Sequence, residues 1–416
     1  MDIGFIRASV ARALVMVGAE MAQVAVAYEV YDASRDPLDL GLLGLAQFLP
    51  VFTLAIPAGH VADTRPRKQI VVVSTIGIAL TIASLFVLPR SHLPTMLAVM
   101  TALGTLRAFL GPATNALIAA LIPDDDVARA SAVNSVLFMG AVVVGPAVGG
   151  LVFAAIGGWV YVVAAVVAAF ALVAIAIVTV PPTDRLSTSQ LTLANALDGF
   201  RFMRGQPALL ASVALDFIAV FLGGVTALLP VYAVEVLHVG APGLGVLRAA
   251  PAVGAGVMGL WLAWRQLARR PGPALIVAVM LFGACTVGFG LSTSCPLSLS
   301  LLAMLGAADM VSVVVRGALL RTLVPAEWRG RVSAMNSVFI GGSNQLGELE
   351  SGVAAKGLGP EGAIVLGGVG AIAVAGISVW LVPRLWQAER LEDTSTQPLS
   401  PPTTTVFPAL DPPVDK

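Results

Sequence analysis

Apolar residues run along this chain in long uninterrupted stretches separated by short polar turns, without the two-residue alternation of barrel strands. Gln69 to Leu88, Gly158 to Val180 and Ala274 to Ser292 are such stretches. A helix rising about 1.5 Å per residue needs about 20 apolar residues to cross a bilayer core. The pattern therefore predicts helical spans near 10–31, 40–62, 69–88, 94–122, 130–155, 158–180, 208–236, 243–264, 274–292, 296–322, 332–356 and 361–383. The expected fold class is all-α integral membrane, about twelve transmembrane helices in two six-helix pseudo-repeats.

Composition agrees, since 57% of the 416 residues are hydrophobic and only 12% are charged. A soluble domain carries roughly twice that share of charge. The charges are also sorted. With twelve spans and both termini cytoplasmic, 18 of the 24 Lys and Arg fall on cytoplasmic segments or helix ends, among them Arg65, Arg67, Lys68, Arg329 and Arg331. External loops hold only Arg35, Arg90 and Lys356, the asymmetry that sets orientation in a membrane. A multi-pass protein of the inner (plasma) membrane is expected, without a cleaved leader.

A repeat divides the chain. ALIAALIPDDDVARASAVNSVLFMG (116–140) aligns without gaps to ALLRTLVPAEWRGRVSAMNSVFIGG (318–342), an offset of 202 residues. Pro123 meets Pro325, and Arg129 meets Arg331. GLAQFLP (44–50) matches GVLRAAP (245–251) more weakly. The expected organisation is an N-terminal six-helix bundle (1–182), a cytoplasmic linker with an interfacial helix (183–207), a C-terminal six-helix bundle (208–386) and a disordered cytoplasmic tail (387–416). Parallel repeats of this kind place a substrate site between the halves near the bilayer midplane.

Several function classes drop out. None of Lys68, Lys356 and Lys416 follows a Gly, so there is no phosphate loop of an ATP-driven pump. GAGVMG (254–259) fits a dinucleotide fingerprint in letters only, because it lies in an apolar span with no strand before it. His60, His92 and His238 are far apart, and neither HExxH nor G-x-S-x-G occurs. No enzyme activity, cofactor, metal or nucleic-acid partner is expected, and the loops are too short for a sensor domain. Cys285 and Cys295 read as small thiols rather than a disulfide.

Charges inside spans are costly and usually face a cavity or a partner. Asp216, Asp309 and Glu20 are the candidates for proton coupling, each with a permanent ion pair as the alternative. Burial and a neighbouring cation act oppositely on a carboxyl's proton affinity, which is what a transported proton requires. Arg107, Arg248 and Arg316 are candidates for substrate or counter-ion contact and would attract acidic or catecholic ligands. Gln47, Asn134, Asn336, Asn344, Gln345 and Glu348 could bond a polar ligand, or bond helix to helix. Glu29, near the external mouth, is expected to be solvated.

The loop GHVADTRPRK (59–68) resembles the signature loop of the major facilitator superfamily, with Gly59, Asp63, Arg67 and Lys68 matching. Thr64 and Pro66 depart from it, standing where Arg and Gly are expected. The resemblance implies a loop that biases inward- against outward-facing forms, while positive-inside signalling alone would account for Arg67 and Lys68. GPAVGG (145–150), with Gly145, Pro146, Gly149 and Gly150, resembles the helix motif of exporters in that superfamily. YEVYDASRDPLDLGLLGLAQFLP (28–50), GLGVLRAAPAVGA (243–255) and the stretch from 305 to 352, containing GAADM, RGRVSAMNS and SNQLGE, resemble its enterobactin exporter branch. That resemblance implies a monomeric secondary exporter, exchanging protons for a siderophore or related metabolite. Efflux of macrolide-like drugs is the alternative.

Overall fold

A computed structural model describes residues 3–89, 92–122, 127–178, 193–264 and 271–381. The first part of the expected linker (183–192), the expected tail (387–416) and Pro123 lie outside the described residues, as do the side chains of Arg129, Leu193 and Leu197. Fourteen helices carry the described chain: α1 (Ile3–Ser34), α2 (Pro37–Thr53), α3 (Ala55–Thr64), α4 (Arg67–Ser84), α5 (Leu93–Ala119), α6 (Val127–Ile156), α7 (Val160–Ala176), α8 (Leu193–Arg204), α9 (Pro207–Leu222), α10 (Val225–Val231), α11 (Gly240–Trp264), α12 (Pro271–Gly290), α13 (Cys295–Leu323) and α14 (Ala326–Leu381). Prolines open many of them at positions where the missing N–H costs nothing, and Asp36 caps α2 by accepting from the Leu38 amide at 3.0 Å.

Counting α2 with α3 as one span bent by 50°, ten described stretches are long and apolar enough to cross a bilayer. The bend follows from Pro50, whose ring breaks the ladder just before the junction at Leu54. Two stretches, Val136–Ala176 and Phe339–Leu381, run 41 and 43 residues, about twice the needed length. Each turns at a glycine in the left-handed region, Gly157 (φ 56°) and Gly359 (φ 76°). Each is therefore two crossings, and the total is twelve, as the hydrophobic pattern predicts.

In the first half α1 packs between α6 and α7, α4 between α5 and α7, and α2 on α5. In the second half α9 and α12 pack on α14, and α13 on α11 and α12. The halves meet along two extended seams, α2 on α14 and α6 on α11. Because the 202-residue repeat carries α2 onto α11 and α6 onto the first part of α14, each seam is the other's image under the exchange of halves. The end carrying the α1–α2 turn is termed outer, from the distribution of basic residues.

Helix packing in lipid relies on close approach, because lipid tails solvate Leu as well as a neighbouring helix does. Small residues supply it at the outer end of both seams. Gly150 lies against Ala241 and Gly245 of α11, and Gly41 against Glu348 and Leu349 of α14; a methyl at either glycine would press on backbone. Further along α6 and on α5 the packing is open at Gly140 and Gly111, where an added methyl would meet nothing within 4 Å. The buried apolar residues fall into two groups. One cluster joins the two halves, with Leu43 and Met100 beside Leu228 and Leu247, while a second lies wholly in the second half around Leu209, Leu275 and Leu319.

Helix α8 belongs with the second half. Phe202 stacks on Trp328 and Phe200 approaches Phe339, which in turn meets Phe217 of α9 edge-on. The expected linker helix is thus docked on α14 and α9 through its aromatic side chains.

Candidate functional site

Between the halves lies a small pocket, a cavity of about 30 Å³. Six elements line it, α1, α2 and α5 from one half and α10, α11 and α14 from the other. Its polar lining is Gln23, Gln47, Thr226, Arg248 and Glu348. Gln47 is only 7% exposed and so is held within the wall rather than at the rim. Three of the expected contact residues, Gln47, Arg248 and Glu348, are brought together here although they are up to 301 positions apart in sequence.

Glycines make room for this polar wall. A methyl at Gly44 would overlap the Glu348 carboxylate and sit 3.5 Å from Gln345 Oε1. Gln345 Oε1 is buried without a hydrogen-bond partner, and so is Asn336 Oδ1. Arg248 faces Glu348 within electrostatic range, and Glu20 does so from the other half. In the exporter-like segment, Gly145 abuts Glu20, while Gly149 lies against the backbone of Met21, so the motif's glycines seat α1. Pro146 contributes its carbonyl to the Gly245 contact at the α6–α11 seam.

The remaining intramembrane charges form two groups, one in each half. Arg107 Nη2 of α5 lies 3.7 Å from Glu20 Oε1 of α1, both partly exposed. Arg316 Nη1 of α13 lies 2.8 Å from Asp216 Oδ2 of α9, with the side chains 5% and 6% exposed. Ser312 donates to Asp216 Oδ1 at 2.9 Å. In both groups the acid stands on the first helix of its half and the base on the fourth. The groups differ in what surrounds them. Asp309 adds a second carboxylate within electrostatic range of Asp216 and Arg316, and together with Asp216 and Ser312 it lines a small void between α9, α12 and α13. Arg316 Nε is buried with no hydrogen-bond partner, and Nη1 contacts Asp216 without hydrogen-bond alignment.

Other expected residues fall elsewhere. Asn344 is exposed and donates through Nδ2 to Ile340 O at 2.8 Å, so it bonds its own helix. Asn134 and Asn336 are partly buried and are not part of the pocket lining. Glu29 is not simply solvated, because Tyr161 donates to its Oε2 at 2.6 Å. Lys68 donates to Ala176 O and Val178 O at 2.9 and 2.8 Å, and Arg67 to Ala116 O at 3.3 Å. These two cations therefore cover carbonyl ends of α7 and α5, where the helix dipole favours positive charge. Gly59 is buried and Asp63 exposed on α3.

Residues that sequence patterns did not single out close the outer end. Lys356 Nζ of α14 donates to Asp36 Oδ2 at 2.6 Å, and Arg35 Nη1 lies 3.9 Å from Glu235 Oε1. Each pair joins one half to the other, with the signs reversed. Arg35 is also held in the left-handed region at φ 54°, as is His238 (φ 51°) at the corresponding turn of the second half.

A bundle of twelve crossings, with a pocket between two repeated halves and charged pairs inside them, is a transporter's architecture, and comparison with known proteins agrees. The chain is 24% identical over 352 residues to the multidrug efflux pump Tap of Mycolicibacterium fortuitum, covering 81% of this chain and 85% of that protein. It is 26% identical over 381 residues to the enterobactin exporter EntS of Citrobacter koseri, covering 86% and 88%. Its fold superposes with a TM-score of 0.73 on a bacterial homologue of the human lysosomal transporter Spinster, in an inward-facing, occupied conformation, at 15% identity and over 93% and 97% of the two chains. With the profile of the Major Facilitator Superfamily matching residues 8–347, the seams, the pocket and the repeat have one explanation: the chain belongs to that superfamily and is a membrane transporter rather than an enzyme.

Proposed function

We propose that the protein is a monomeric secondary exporter of the inner membrane that exchanges protons for an amphipathic organic compound by alternating access. The observation that carries this reading is the second-half charge group. Asp216 is paired with Arg316, and Asp309 is a second carboxylate within electrostatic range of that pair, lining the same small void as Asp216. Two like charges at one buried cation leave a surplus negative charge, and a proton is the smallest species that removes it. Asp216 is committed to Arg316 and Ser312, so Asp309 is the group that takes the proton. Glu20, paired to Arg107, is the corresponding group of the first half.

Residues 1–182 and 208–386 are the two moving units, with α8 carried by the second. The tight outer seams and the two ion pairs beside them fit a conformation closed on the outside, both termini being on the opposite, cytoplasmic side. Uptake of a proton from outside and its release inside would then alternate with the opposite opening of the pocket, each state stabilised by its own contacts. The loop from Gly59 to Lys68 biases that equilibrium through Asp63, which engages a helix end or basic partner in one state only, while Arg67 and Lys68 hold helix ends of the first half.

A siderophore or related secreted metabolite is the substrate favoured by the likeness to the enterobactin exporter, and drug efflux is the second reading, favoured by the likeness to Tap. Inside-out vesicles with an imposed proton gradient, offered a catecholate siderophore and a macrolide, separate the two. Gradient-driven siderophore uptake that is lost in Asp309→Asn supports the first reading. Macrolide uptake moves the protein to the second, and transport surviving both uncoupler and Asp309→Asn refutes coupling through Asp309.

A further inference from the structure

The first half holds a polar cavity of its own, away from the interface between the halves. We propose that Arg12, Thr75 and Thr114 form a binding site for one monatomic anion, a halide such as chloride. The site is separate from the pocket between the halves and from the Asp216–Arg316 group, so it stands whether or not protons drive transport.

Helices α1, α4, α5 and α7 enclose a cavity of about 10 Å³, room for a single guest the size of a water. Its wall is apolar apart from three side chains, Arg12 of α1, Thr75 of α4 and Thr114 of α5. Thr75 is fully buried and Thr114 is 5% exposed, yet neither hydroxyl has a hydrogen-bond partner. A hydroxyl in a helix ordinarily bonds the carbonyl one turn back, as those of Thr81, Thr101 and Thr105 do in this protein. Two buried hydroxyls left unpaired are costly, so the cavity calls for a guest that bonds both.

Charge decides the kind of guest. Arg12 is half-buried, and its partners are neutral: Nη1 donates to Asn115 Oδ1 at 3.0 Å, and the guanidinium lies 5.2 Å from the centre of the Phe138 ring. No carboxylate pairs with it among the described residues, whereas Arg107, Arg248 and Arg316 each stand near one. A cation drawn partly out of water without a counter-charge is unfavourable, and an anion beside it offsets that cost. The corresponding helices of the second half, α9, α12 and α13, enclose the void of Asp216 and Asp309, so the two halves carry opposite signs in these places. Guanidinium and hydroxyls all donate, and a halide accepts from the three at once. Water would also bridge the hydroxyls but brings no charge to Arg12, and a carboxylate or phosphate exceeds the space.

The test is the thermal midpoint of the purified full-length protein, titrated with chloride or bromide against gluconate at constant ionic strength and pH. Gluconate is too large for the cavity. Either halide should raise the midpoint saturably, by about 2 °C at ten times the half-saturating concentration. Thr75→Val and Thr114→Val exchange a hydroxyl for a methyl of the same shape. Each should leave the midpoint in gluconate no lower than the parent's and remove at least half of the halide-dependent rise. Arg12→Gln should remove all of it, and the two valine variants decide the matter if that protein does not fold. A midpoint that is the same in halide and gluconate would assign the cavity to water alone. A rise that is equal in the parent and both valine variants would place the anion effect elsewhere on the protein, and either result overturns the assignment.

Discussion

Lys356 Nζ on α14 donates a 2.6 Å hydrogen bond to Asp36 Oδ2 at the α1–α2 turn, tying the two halves together at their outer end. Nothing else about these residues suggests partnership, as they are 320 positions apart and the lysine is 56% exposed. Removing either charge should loosen the outer closure. With Cys285 and Cys295 replaced, a cysteine at the buried position Leu40 should react several-fold faster with an impermeant maleimide in Asp36→Asn or Lys356→Gln. The charge swap Asp36→Lys with Lys356→Asp should return the rate to that of the parent, and a swap that leaves it raised would show the pair to be incidental.

The same pair sets a pH window for closure. The Lys356 hydrogen bond holds the Asp36 carboxyl below its ordinary value of 3.8, and the Asp36 hydrogen bond holds the Lys356 ammonium above its ordinary value of 10.5. A depressed carboxyl stabilises the closed form above its ordinary value and loses that contribution as pH falls through the lowered one. A raised ammonium stabilises it below its ordinary value and loses that contribution as pH rises through the raised one. Labelling of a cysteine at Leu40, taken relative to an exposed control cysteine to remove the change in thiolate fraction, should therefore be flat from about pH 5 to about pH 9. A step near neutrality would assign the closure to other groups.

Breaking the Asp216–Arg316 pair should be costly, most of all from the side of the cation, because Arg316→Met strands Asp216 beside Asp309. Arg316→Met should lower stability by about 3–5 kcal/mol, read as a drop in the thermal midpoint of the purified protein. Asp216→Leu should cost less, since Asp309 stays near Arg316, and the double substitution should recover part of the Arg316→Met loss. Proton-driven transport should fail in all three, so stability and activity part company in the double variant. Additive losses would mean that the two side chains do not interact.

Close approach at the outer seam makes its own demand. Gly150→Leu places a side chain against the backbone of Ala241 and the glycine at 245, so the outer end should be unable to close. Overpacking of this kind costs about 1–3 kcal/mol, which here falls on the closed state alone. The expected outcome is increased maleimide labelling at Leu40 with a little-changed thermal midpoint. Unchanged labelling would place the closing contact elsewhere.

Much of the fold was legible in the chain, since length, apolar runs and the sorting of basic residues are constraints imposed by a bilayer on each segment separately. Even the two crossings hidden inside α14 follow from a span pattern that restarts after Gly359. The repeat added the relation between halves. Individual polar residues were legible only as candidates. Asp216, Asp309 and Arg316 stood out because charge in an apolar run needs a partner, yet which helix supplied it was not written locally. Gln23 gave no signal at all, being one amide in a span, and becomes a pocket residue only through the packing of α1.

The sequence by itself determined that this is a two-fold repeated membrane bundle of twelve crossings, because each crossing answers to the bilayer independently of the others. The tertiary structure alone decided which charges neutralise one another, that a Gln345 oxygen near Gly44 remains without a donor, and that Asp36 reaches Lys356. Those are distances between helices far apart in the chain, and hydrogen bonds and ion pairs act only over a few ångströms. Sequence spacing fixes such distances within one helix, whereas between helices they are set by how the glycines of the seams let the halves meet.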